Sequence, residues 1–110
     1  MTVSDRPGLE ALVHMDAALS DRPKKNGHEL SAALRCLVAF RDSLITACRD
    51  QPDGVWNDPL ERVNAIISSV LATQFPLGEI PWEEMEKARR WLTELLDRRS
   101  PGMMVSGPRP

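Results

Sequence analysis

The chain has 110 residues, 42% of them apolar, with 14 basic and 16 acidic side chains. That length and apolar content suit one folded domain with a real core and exclude a wholly disordered chain. A formal charge of −2 gives no net field to draw the chain to nucleic acid or to an anionic membrane.

The opening MTVSDRPGLEALVHMD lacks a basic region followed by an apolar one, so no targeting segment is read there. The longest uncharged stretch, residues 63–78, carries Asn, Ser, Thr, Gln and Pro. It is shorter than the roughly 20 apolar residues of a membrane span. A cytoplasmic location without membrane contact is the expectation.

Helix 1 is expected over about residues 8–20. Leu12, Met15 and Leu19 recur at helical spacing, with Leu9, Ala11 and Ala18 beside them. Pro23, Asn26 and Gly27 then break the pattern.

Helix 2 is expected over about 27–50. Asn26 can cap it, with Glu29 reaching back in a capping box. Leu30, Ala33, Leu37, Phe40, Leu44 and Cys48 form one stripe, which Leu34, Val38 and Ile45 widen. At 100° per residue this apolar arc spans about 200°, more than a simple surface helix needs. Helix 1 is much shorter, so part of this face is expected to be uncovered and open to a partner or a second copy. Cys36 and Cys48 lie in this one helix, about 18 Å apart along its axis, beyond disulfide reach. They read as reduced packing residues.

After QPDGVWN, Asp58 is expected to cap helix 3, with Pro59 at its first position and Glu61 completing the signature. The helix should run to about residue 75. Leu60, Val63, Ile67, Val70 and Leu71 should face inward, with Ile66 beside them. Helix 4 is expected over about 81–99, with Trp82, Met85, Ala88, Leu92, Leu95 and Leu96 as its stripe. Glu83–Lys87, Glu86–Arg90 and Glu94–Arg98 are spaced as favourable i,i+4 pairs. The stretch SPGMMVSGPRP has no period, and residues 100–110 are expected to be a disordered tail.

The fold class predicted is all-α: an antiparallel four-helix bundle, up-down-up-down, formed by residues 1–99 as a single domain. Between helices 3 and 4, QFPLGEIPWEEM places Phe75, Leu77, Ile80 and Trp82 among turn residues. Phe75 reads as the end of the helix 3 stripe and Trp82 as the start of the next. Phe75-Pro76-Leu77-Gly78 suits a type I turn, and Leu77 and Ile80 should cap the bundle end. The stretch is therefore expected to be a corner, not a docking loop.

Sites are few. There is no Gly-rich phosphate loop, no G-x-S-x-G, no C-x-x-C and no H-E-x-x-H. Glu10 and His14 lie one turn apart, which supplies two metal ligands at most. No catalytic residue, metal site or cofactor is assigned, and the chain is not read as an enzyme. Arg41, Asn64 and Arg89 fall in or at the edge of apolar arcs at similar heights. They are candidates for a polar layer that sets register or binds a small anion. The plainer alternative has Arg41 and Arg89 snorkel or pair with Asp16, Glu86 or another acid. Trp91 sits at the outer edge of its arc and, with Val38 and Ile45, is a candidate partner surface.

Two functions are weighed. The first is a small helical protein–protein interaction module, an accessory subunit, adaptor, assembly or neutralising factor that binds another protein or itself as a homodimer. The second is a regulator that binds a nucleic acid or small anionic ligand through Arg41, Arg89 and the basic pairs Lys24-Lys25, Arg89-Arg90 and Arg98-Arg99. The self-paired acids of helix 4 argue against nucleic acid.

Overall fold

Four α-helices account for the computed structural model, which describes residues 4–99: α1 (Arg6–Ser20), α2 (Gly27–Asp50), α3 (Asn57–Gln74) and α4 (Trp82–Arg99). The expected tail at 100–110 lies outside the described residues. Each helix packs on its sequence neighbours, and α4 closes the ring against α1. Gly8 lies against Phe40 and Leu96, while His14 meets Glu29 and Asp16 meets Arg89. Ser31 meets Gln74 near one end of α2, and Cys48 meets Asn57 near the other. These registers make the neighbours antiparallel, and the fold is the all-α four-helix bundle that the periodicity predicts.

The helix starts follow local chemistry. α1 begins two residues earlier than expected, because Pro7 fits the first turn, where no N–H is needed. Asn26 caps α2 by accepting the Glu29 N–H at 3.1 Å. The Glu29 carboxylate does not complete the capping box but reaches His14 on α1. Asp58 is not the cap of α3, which starts at Asn57 with Trp56 before it. Asp58 instead accepts from Arg62 one turn on, at 2.8 Å. Pro81 just precedes α4, its carbonyl accepting the Met85 N–H.

The core takes Ala11, Met15 and Leu19 from α1, Leu30, Leu37, Phe40 and Leu44 from α2, Val63, Ile66 and Val70 from α3, and Met85, Leu92, Leu95 and Leu96 from α4. The width of the α2 apolar arc has a simple cause. A corner helix faces two neighbours at once, and α2 packs on both α1 and α3. Leu34, Cys36 and Val38 lie partly buried against the core at the edges of that arc. The expected open face on α2 is therefore absent: none of the exposed large apolar side chains among the described residues belongs to this helix.

The inward face of α3 departs from expectation. Val63, Ile66, Ile67, Val70 and Thr73 are buried, whereas Leu71 is 42% exposed. The buried face is turned by roughly 45° from the predicted one, taken at 100° per residue. Thr73 makes this possible. Its hydroxyl donates to the Ser69 carbonyl at 2.9 Å, so the side chain enters the core with its polar atom satisfied. Gln74 adds a bond to Ser31, and its carbonyl accepts from Lys25.

Candidate functional site

The three residues of the expected polar layer do not assemble. Arg89 is held by a salt bridge to Asp16 across the α1–α4 seam, the partner that the plainer alternative named. That bond, reinforced by Glu86, raises the guanidinium pKa further. Asn64 is exposed, because the turn of α3 carries it out of the apolar arc. Arg41 lies on α2, diagonally opposite α4, with its terminal nitrogen 3.6 Å from the Asp42 carboxylate. Its Nε is buried without a hydrogen-bond partner. A buried unpaired N–H costs about 1–3 kcal/mol, so Arg41→Leu should leave stability unchanged or raise it by about 1 kcal/mol. A urea midpoint that instead falls by the equivalent of more than about 1 kcal/mol shows that the charged head contributes to the fold.

The α1–α4 seam has a charged cleft of about 420 Å³, lined by Asp16, Leu19, Ser20, Arg22, Glu86, Arg89 and Arg90. Arg22 bonds Glu86 at 2.6 Å and donates through Nε to the Leu19 carbonyl. Two of the three guanidiniums therefore already face carboxylates. The expected Glu86–Arg90 and Glu83–Lys87 pairs are not the ones formed: Glu86 turns to Arg22, and Lys87 lies 3.8 Å from Glu84. Arg98 and its expected pair with Glu94 fall among side chains outside the described set.

Glu10 pairs with Arg6 at 3.4 Å, and His14 Nδ1 lies 2.6 Å from Glu29 Oε1. The Glu10–His14 couple is thus divided between separate partners. Among the described residues, no group of three or more His, Cys, Asp or Glu could hold a metal ion. Cys36 and Cys48 are free and partly buried. Burial, with the charge of Glu10, pushes the Cys36 thiol above its ordinary pKa, which lowers its thiolate fraction. No helix among the described residues is long and apolar enough to cross a membrane.

Of the residues read as a partner surface, Val38 and Ile45 are half-buried. Trp91 is half-buried between α3 and α4, with the Lys87 ammonium 5.7 Å from its ring centre. It lines a groove of about 310 Å³ with Asp58, Glu61, Arg62 and Ala65.

The apolar surface that is exposed lies elsewhere. Leu9 and Val13 form one pair on α1. A larger series runs off the end of α3: Leu71, then Phe75 at 68% exposure, then Leu77, fully exposed. Phe75 does not end a core stripe and Leu77 does not cap the bundle, although Ile80 and Trp82 are partly buried. The chain bends through residues 75–79, and the Phe75-to-Gly78 hydrogen bond of a type I turn does not form. The cause is the same rotation of α3. Leu71 and Phe75 are one turn apart, so both leave the core together when Thr73 enters it. Comparisons with protein-family models, with curated proteins and with solved structures each returned no match.

Proposed function

We propose that this chain is a small protein–protein interaction module, an accessory subunit, adaptor or assembly factor, that binds another protein through the α3–α4 corner. The observation that carries this reading is the exposed series Leu71, Phe75 and Leu77. Single exposed apolar residues are ordinary, but three within the last turn of α3 and the bend after it are the kind of group that marks an interaction site. Phe75 and Leu77 stand on a bend between two packed helices, where their side chains are free to enter a partner's pocket. The regulator reading, an anion held by arginines, has less support. Arg89 and Arg22 are occupied by Asp16 and Glu86, and Arg41 stands apart from both.

The test is capture from the native host by cross-linking, with proteins identified by mass spectrometry. The wild-type chain is expected to retain a discrete partner, and a Phe75→Ser/Leu77→Ser variant to lose it. The variant should keep its thermal stability to within about 0.5 kcal/mol, because both side chains are exposed. Capture that persists in the folded variant refutes the corner as the binding surface.

A further inference from the structure

We infer that the segment docking on the α3–α4 corner is basic and amphipathic, a Lys- or Arg-bearing helix with one apolar face. This inference rests on the corner being the interaction surface. Directly after the exposed Phe75 and Leu77, the chain forms a groove of about 480 Å³, lined by Glu79, Ile80, Pro81, Trp82, Glu83 and Glu84. Its lining combines apolar surface from Ile80, Pro81 and Trp82 with three carboxylates. A lysine or arginine is built for such a groove. Its stem lies on apolar surface while its charged head meets the acids.

The acids are open to a partner. Glu83 and Glu84 stand in the first turn of α4, where the helix dipole favours them. Glu79 has no such role, because it precedes the helix by three residues. Neither Glu79 nor Glu83 makes an ion pair among the described residues, and Glu84 has only the 3.8 Å approach of Lys87. Lys87 is the basic residue that approaches this flank, and two others at this end of the bundle are engaged elsewhere, Arg22 by Glu86 and Lys25 Nζ by the Gln74 carbonyl at 2.8 Å. The corner thus presents an apolar knob with an acidic flank in which, among the described residues, Glu84 alone has a cation near it. A second copy of the chain is the poorer occupant, since it carries the same three carboxylates and the same net charge of −2.

The experiment uses two designed amphipathic helices of about 18 residues with the same leucine face, one with lysine and one with glutamate on the polar face. Each is titrated into the ¹⁵N-labelled full chain. The lysine helix should shift amides within residues 71–84 and bind about tenfold more tightly than the glutamate helix at low salt, the gap narrowing as salt screens the carboxylates. A Glu79→Gln/Glu83→Gln/Glu84→Gln variant should lose about fivefold of that affinity or more with its helical circular dichroism unchanged. Equal binding of both helices, shifts centred on another face, no binding of either, or self-association that buries Phe75 overturns the inference. Capture of a native partner that depends on Phe75 and Leu77, yet is indifferent to the Gln variant and to salt, leaves the interaction module standing and sinks the basic partner alone.

Discussion

Phe40→Ala will lower the free energy of unfolding by about 3–5 kcal/mol. Phe40 is the largest of the fully buried side chains, and it stands where the first turn of α1 meets α2. Removing its ring takes away the transfer free energy of the buried carbons and leaves a void that four packed helices only partly close. A domain of this size has about 5–15 kcal/mol in total, so the variant approaches the edge of folding at 37 °C. Urea denaturation followed by circular dichroism measures the loss. A fall of less than about 1.5 kcal/mol means that the neighbours collapse into the space and that the core is looser than its burial indicates.

Gly8→Val will destabilise the bundle by about 2 kcal/mol, through crowding in place of a void. A Cβ at Gly8 would lie 2.9 Å from Leu96 Cδ2 and 3.3 Å from Phe40 Cε2. Leu96 can swing its terminal methyl aside, so Gly8→Ala should be close to neutral. Alanine's helix propensity, about 1 kcal/mol better than glycine's, offsets the adjustment. Valine adds two further methyls to the same space, and those meet the aromatic ring. The two sites share one volume, which makes a sharper test available. In the Gly8→Val/Phe40→Ala double variant the valine enters the space the ring left, and the combined loss should be at least about 1 kcal/mol smaller than the sum. Strict additivity would show that Gly8 and Phe40 do not share that volume.

Much of this arrangement was legible in the sequence, because helical periodicity and the turn residues at 23–27, 52–54 and 76–81 point to four antiparallel helices. What was not legible was the rotation of α3. A hydropathy stripe ranks Leu71 above Thr73 as a core residue. It cannot see that Thr73 satisfies its own hydroxyl within the helix and so enters at little cost. That single exchange decides whether Leu71 and Phe75 are core or surface, and with them the candidate site. The width of α2 misled for a related reason: an arc that serves two neighbours looks, in one dimension, like an arc with a face to spare. The long-range contacts Arg22–Glu86 and His14–Glu29 likewise depend on register between helices, which spacing within a helix does not encode.

The ring of helix contacts also governs the order in which the bundle forms. Three of its four seams join helices that follow one another along the chain, and such local seams close quickly because little loop entropy is lost. The α1–α4 seam joins the two ends of the domain and is the natural last step. Gly8 and Leu96 meet there. Trimming Leu96 should then quicken unfolding far more than it slows folding, whereas crowding at Gly8 or the loss of Phe40, both of which bear on the α1–α2 seam, should weigh on both rates. The contact of Leu96 with the start of α1 is in that sense a latch on the finished bundle, setting how long the fold persists more than how fast it is reached.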